Sequence, residues 1–420
     1  MARFIGIRHR IKRTAEGEAR PTQVMIFEGE KAHFYDLPDD TAELDFVKGQ
    51  FPVSLRKAEA GAGDDFSKFR QHHITWKEIE EEDVPKLPSN LLRREGKAIY
   101  VATKVPEAYD GLRAGDTVGM LLGGSGDRLA FALARQAEEI GATVLRIPPF
   151  VMKDKRGEDK DRDASNLAEL VKSAPEIFFP VTLRDRNLIR LREVLGNRTE
   201  AMKARIGCEQ RLRQQFVGRI FCSAEGKYPE GSIELEFDEF KANDVILANL
   251  VRAEKEISKE LGEIISEVEI YNQLFEPIVG CGPMIAAKII TAISDIRLFA
   301  TDAKLKKYLG VHVLPDSRFP RRRVGELANW KAEARQALYL LGDQFNKRPN
   351  SEWGQKLISY KAKLQAAHPE VILNDNGKKK YTKAHIHKMA TWRTLTKFVE
   401  HLYREWRRIE RQTEKLKKSA

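Results

Sequence analysis

The sequence predicts a mixed α/β domain, then a helical arm, then an all-α C-terminal domain. Three observations predict this order. Strand-like and helix-like patterns interchange up to about residue 185, apolar residues recur at heptad spacing before residue 275, and a Gly-x-Gly-Pro turn at 280–283 opens a further run of helical segments. A chain of 420 residues, 42% hydrophobic and 32% charged, is long enough for two or three cores.

In residues 1–185, RFIGIRHRI, TQVMIFEG and KAHFYDL form a meander of strands, DTVGMLLGG a buried strand, DRLAFALARQAEEIG an amphipathic helix and ATVLRIP the strand after it. Between about 51 and 115 lies a polar stretch with Gly-rich and acidic pieces (AGAGDD, EIEEEDVP), an insertion whose fold the pattern does not reveal. The GGSGD turn after the buried strand sits where a phosphate-binding loop would, but it lacks the Lys-Ser/Thr of a P-loop and the spacing of a dinucleotide fingerprint.

Residues 186–275 form the arm. Leu247, Leu261, Val268 and Phe275 share one heptad position, Leu250, Ile257, Ile264 and Tyr271 the other, and Glu254 interrupts the seam. Such a coiled coil either joins two chains into a homo-oligomer or folds back on the helix near Leu188 to Leu212. The segment FCSAEGKYPEGSIELEFDEF carries Gly and Pro turn signals and marks the bend of the arm.

Residues 276–345 carry VGCGPMIAAKII from Val279. Gly280 and Gly282 permit backbone angles closed to other residues, Pro283 suits the first turn of a helix, and Ala286 and Ala287 allow close packing. The stretch reads either as an ordinary tight turn between helices or as the hairpin of a helix-hairpin-helix element, whose exposed amides hold a nucleic-acid phosphate.

Residues 346–420 carry the charge. The net charge is +11, and from Lys378 onward there are 14 Lys/Arg against 4 Asp/Glu, leaving 59 against 58 in the rest. Lys378, Lys379, Lys380 and Lys383 open this stretch, and aromatic residues recur through it near helical spacing, so one face can be buried while the other is either plainly solvated or offered to phosphates.

Other classes are disfavoured. There is no run of 18 apolar residues, and MARFIGIRHRIKRT lacks the apolar core of a secretory signal, so a cytoplasmic protein without membrane contact is expected. The three cysteines form no CxxC and the nine histidines no HExxH, which argues against a disulfide framework or a structural zinc motif.

The context of the hairpin is more specific. EPIVGCGPMIAAKIITAISDIRLFATDAKLKKYLG is followed by VHVLPDSRFPRRRVGELANWKAEARQALYLLG. The shared features are the Gly-x-Gly-Pro hairpin, Ile296-x-x-Phe299, Leu305-x-x-Tyr-Leu-Gly310, a Pro-then-Ser loop, a basic cluster and Arg335-x-Ala-Leu338. Over residues 270–345, with KAHIHKMA farther on also fitting, the chain resembles the insertion-sequence transposases of the type that includes the Piv DNA invertase and the bridge-RNA-guided recombinases. The resemblance implies DNA as the partner, joined by a structured guide RNA in the bridge-RNA type.

It also implies roles. The family's loop serine is the nucleophile that becomes joined to DNA, and the matching residue is Ser317. A serine hydroxyl is a poor nucleophile at neutral pH, and Arg321, Arg322 and Arg323 would hold the scissile phosphate and offset its developing charge. The family's N-terminal half is a RuvC-like, ribonuclease-H-like domain whose four carboxylates bind Mg²⁺. Here the first acid position reads Arg8, the second Gly123 and the third Lys160; Asp163 fits the fourth, and Asp159 lies one helical turn before it. The expectation is a RuvC-like fold with a degenerate acidic site. Two functions follow: a transposase-like recombinase acting through Ser317, or a catalytically inactive derivative that binds DNA or RNA.

Overall fold

The computed structural model describes residues 2–11, 19–59, 66–156, 162–226, 228–315, 318–321, 325, 328–373, 377 and 379–419. Asp159, Lys160, Ser317, Arg322, Arg323 and Lys378 lie outside the described residues. The chain divides into two units, Met1–Thr182 and Leu183–Ala420. No helix among the described residues is long and apolar enough to cross a membrane.

The first unit is built on a six-stranded mixed sheet. The strands β1 (Arg3–Arg8), β2 (Thr22–Glu28) and β3 (Lys31–Leu37) form an antiparallel meander. The helix α1 (Asp40–Val47) follows, capped by the Asp39 carboxylate accepting from the Ala42 amide. After the insertion, β8 (Thr117–Leu121) pairs parallel with β1. The helix α2 (Asp127–Ile140) ends at Gly141 with φ +77°, and β9 (Thr143–Ile147) returns parallel to β8. The helices α3 (Pro149–Arg156) and α4 (Asp163–Ser173) precede the short edge strand β10 (Phe179–Pro180).

Both faces of the sheet are covered, as parallel strands require. Ile5, Ile7, Val24 and Ile26 pack with Phe46 of α1 and Leu129, Leu133 and Ala137 of α2. On the opposite face, Leu145 and Ile147 pack with Leu167 and Val171 of α4 and Met152 of α3. Two glycines let α4 lie close: a Cβ on Gly6 would stand 2.0 Å from the Ala164 carbonyl oxygen, and one on Gly119 2.5 Å from Val171 Cγ2.

The insertion is a second sheet. Its centre is β7 (Ala98–Asp110), which pairs antiparallel with β4 (Phe51–Lys57), β5 (Thr75–Ile79) and β6 (Leu92–Glu95). A small core of Ile74, Leu91, Val101 and Val105 sits beneath Trp76 and Phe69. At its root, buried Arg3 pairs with Asp110 at 3.1 Å and Asp116 at 3.4 Å. The Tyr35 hydroxyl donates to Asp110, and burial together with that carboxylate pushes its pKa up to about 12.

The second unit is helical. The 39-residue helix α5 (Leu183–Phe221) runs out, α6 (Ile233–Ala242) caps the far end by setting Phe237 and Phe240 against Phe216, and α7 (Val245–Ser266) runs back along α5. The bend thus contains a short helix that the turn signals did not predict. Glu254, the break in the heptad seam, accepts from Arg198 at 2.9 Å and Arg205 at 2.6 Å. At Glu254 the seam is therefore paired within the chain. The helix stops at Ser266, and Tyr271 and Phe275 enter the core from a π-helical turn (Tyr271–Phe275) instead.

From there the chain forms α8 (Pro283–Ile293), a 3₁₀ turn at Ile296–Leu298, α9 (Asp302–Tyr308), α10 (Ala332–Lys347) and α11 (Glu352–Ala367). The two-residue strands β11 (Ile372–Leu373) and β12 (Lys379–Lys380) pair before the 37-residue α12 (Lys383–Ser419). Leu395, Phe398, Leu402 and Trp406 of α12 are buried with Ala286 and Ile290 of α8 and Leu338 and Leu341 of α10. The basic C-terminal stretch is thus an element of the core, with Lys383, Lys388, Arg404 and Arg408 of its helix exposed.

Candidate functional site

The hairpin is a fixed structure. Gly280 adopts φ +96°, and a Cβ there would come within 3.0 Å of Gln344 Cβ and 3.3 Å of Arg348 Cδ, both near the end of α10. Positive φ and close approach together demand glycine. Gly282 is the extended residue before Pro283 at the start of α8, and both are exposed. The first turn of α8 has no acidic residue and no side-chain cap, so nothing within that turn offsets its positive dipole end. Cys281 is buried beside it, and burial pushes its thiol up to about 12, so it is a packing residue without thiolate character. In place of a full helix before the hairpin stands the π-helical turn.

The Pro-Ser loop is pinned on both flanks of Ser317. The Leu314 amide donates to the Arg318 carbonyl at 2.8 Å, and Arg335 Nη2 donates to the Pro320 carbonyl at 2.6 Å. Arg335 is itself held between two rings, its guanidinium carbon 4.4 Å from the Trp330 ring centroid and 4.7 Å from that of Trp392. Burial lowers its pKa, yet a guanidinium starts so high that it stays charged.

Beside this stack opens a cavity of about 670 Å³ lined by Arg321, Trp330, Arg335, Gln336, Tyr339 and Trp392. Exposed Arg321 and the aromatic faces suit a phosphate and unstacked bases respectively. The sequence pattern marks Arg335 only as part of a phrase and does not reveal the stack. The available signal was Arg335 and Tyr339 at helical i,i+4 spacing.

Lys379 and Lys383 are exposed and Lys380 half-buried near the start of α12. Phosphates on this side would meet them without disturbing the buried face of the helix.

Of the positions where the resemblance implies acids, Arg8, Gly123 and Asp163 are among the described residues. Arg8 is buried and donates to Gln23 Oε1 at 2.8 Å. Gly123 has φ +84° and ψ 178°, a region where any carboxylate-bearing residue would be strained. Asp163 is buried in the first turn of α4. Next to them, Ser125 Oγ lies 2.9 Å from His9 Nδ1, and His9 Nε2 lies 3.4 Å from Glu43, which also accepts from the Thr22 hydroxyl. Among the described residues at these positions, a buried arginine and a glycine stand with the one carboxylate of Asp163, which does not fit an oxygen cage for Mg²⁺.

No curated protein matches the chain. Residues 272–348, from the π-helical turn through the hairpin and the pinned loop to the residue after α10, match the family model described as Transposase IS116/IS110/IS902 family, which supports an insertion-sequence transposase.

Proposed function

We propose that the chain is a transposase-like recombinase that binds DNA through the hairpin, the pinned loop and the outer side of α12, and that exchanges strands through Ser317. The observation that carries the reading is the family match over 272–348, which contains Ser317 between the hydrogen-bonded flanks Leu314–Arg318 and Arg335–Pro320. In this reaction Ser317 Oγ attacks the scissile phosphorus, a serine phosphodiester forms, the bond to the leaving sugar oxygen breaks, and the hydroxyl proton passes to that oxygen. Arg321, with Arg322 and Arg323, offsets the charge on the non-bridging oxygens.

The first unit is read as RuvC-like in fold, supported by its mixed sheet with helices on both faces and by the order strand, GGSG turn, helix, strand, helix. It is read as having left metal-dependent phosphoryl transfer, because buried Arg8 and positive-φ Gly123 stand at two acid positions. The same residues favour a second reading, a catalytically inactive derivative that binds DNA or RNA. One experiment separates them. Incubation with DNA carrying the element's ends, followed by denaturing electrophoresis, should reveal a covalent protein–DNA adduct that disappears in Ser317→Ala. Retained DNA binding with no adduct in the unaltered protein supports the inactive derivative.

The binding surface has its own test. Changing Lys383, Lys388 and Arg404 to Gln should weaken DNA binding and flatten its log–log salt dependence by up to about 0.9 for each phosphate that is no longer neutralised. Anisotropy titrations over a salt series measure the slope; an unaltered slope removes α12 from the interface. Substitution is the right probe, because deletion from Lys378 would strip Phe398 and Trp406 from the core.

A further inference from the structure

We propose that Asp45, His72 and His73 form a binding site for a divalent transition metal of the zinc type, which clasps the inserted sheet to α1. Asp45 comes from the middle of α1, and its side chain is 3% exposed. The two histidines come from a 3₁₀ turn (Gln71–His73) inside the insertion, so the residues join two separately built parts of the first unit. His72 Nε2 stands 2.8 Å and His73 Nε2 2.7 Å from the same oxygen, Asp45 Oδ2. Among the described residues this is the one set of three His, Cys, Asp or Glu side chains whose ligand atoms lie within 4.8 Å of one another.

The donor set chooses the ion. Two imidazole nitrogens and one carboxylate oxygen suit Zn²⁺ or its borderline neighbours, whereas Mg²⁺ and Ca²⁺ ask for oxygen throughout. Metal–ligand bonds of about 2.0–2.1 Å in a tetrahedron set ligand atoms roughly 3.3 Å apart. The ligands are therefore already close, and each ring needs to withdraw by only about half an ångström to admit an ion. Convergence of both Nε2 atoms on one oxygen, with the other carboxylate oxygen occupied, is the arrangement such a site needs. Arg70 Nη1 donates to Asp45 Oδ1 at 2.6 Å, which fixes the carboxylate and leaves Oδ2 as the ligating atom. His73 is 3% exposed and His72 45%, so the site has a sealed side and an open side through which an ion and a fourth, water ligand can enter.

The function assigned is structural. A metal bridging α1 and the Gln71–His73 turn would fix the insertion on the sheet domain, and its binding free energy would add to folding.

The full-length protein, equilibrated with micromolar Zn²⁺ and freed of loose ions by desalting, should retain about one zinc per chain by elemental analysis. Substitution by Co²⁺ should give the visible absorption of a low-coordinate cobalt site. His72→Ala, at a half-exposed position, should fold and melt like the unaltered protein in chelator yet lose stoichiometric zinc and the cobalt spectrum. Asp45→Asn should weaken zinc at least tenfold. An unaltered protein that holds no zinc, or a His72→Ala variant that holds as much as its parent, overturns the proposal.

Discussion

Arg297→Ala is expected to destabilise the second unit by about 3–5 kcal/mol, because it strips the counter-charge from carboxylates that have no access to water. Arg297 is buried, and its guanidinium donates to Asp295 at 2.6 Å and to Asp185 at 3.0 Å. Burial works against its charge, and Asp295 beside it overrides that and holds its pKa above the ordinary value. Arg184 joins the same cluster, pairing with Asp185 at 2.7 Å and with Glu410, whose other oxygen accepts from the Trp406 indole at 3.0 Å. The cluster therefore fastens the first turn of α5, the turn before Leu298 and the far part of α12 to one another. Urea unfolding followed by tryptophan fluorescence measures the loss. Arg297→Lys keeps the charge but not the fork that serves two carboxylates, and should fall between the two. A change below about 1 kcal/mol for Arg297→Ala would show that water reaches the cluster.

Gly6→Ala is expected to be as damaging to the first unit. The added methyl would lie 2.0 Å from the Ala164 carbonyl oxygen and 2.4 Å from the Ala168 nitrogen. Both are backbone atoms of α4, so no side chain can swing aside, and the helix must leave the sheet by more than an ångström. That separation would open the contacts of Leu167 and Val171 with Leu145 and Ile147. Overpacking of this kind costs about 1–3 kcal/mol where side chains can yield, and more against backbone. Limited proteolysis and the melting of the first unit report it; a variant that melts within a few degrees of the parent would refute the close approach.

Elements whose periodicity and end signals agree were legible in the sequence. In the meander β2 alternates buried and half-buried residues and β3 exposed and half-buried ones, and α2 combines one apolar face with Gly141 at its end. The heptad seam was legible as burial but not as helix: Val268, Tyr271 and Phe275 keep the spacing and are buried, yet they follow the end of α7 at Ser266. Periodicity records which side chains reach the core, and a π-helical turn can deliver them as well as a continuous helix does. The inserted sheet was illegible because its pairing is irregular. Register shifts at Pro52/Ser54, Ser54/Leu55 and Thr75/Trp76 break the alternation that would have announced strands. Gly280 was legible because only glycine tolerates its geometry, whereas Gly282 has an ordinary extended backbone (φ −68°) and open space where a Cβ would stand, so the expected need for glycine does not hold there. The Trp330–Arg335–Trp392 stack was not, because tertiary folding brings Trp392 to α10 from another helix.

The root of the inserted sheet has an architectural consequence. Phe51 and Asp110 are register partners on β4 and β7, so the chain departs from the parent domain and re-enters it one strand-spacing away. An excursion whose ends already meet asks no more of the host's backbone than a tight turn would, and lengthening it adds closure entropy only logarithmically. The backbone path can therefore take a module of another length while β8 still returns beside β1, provided that buried Arg3 and Asp45 keep partners. Change in the length of this part of the molecule is decoupled from the fold that carries it, whereas change at its root or in the Arg70–His73 turn would expose Arg3 or Asp45 to the loss of a buried partner.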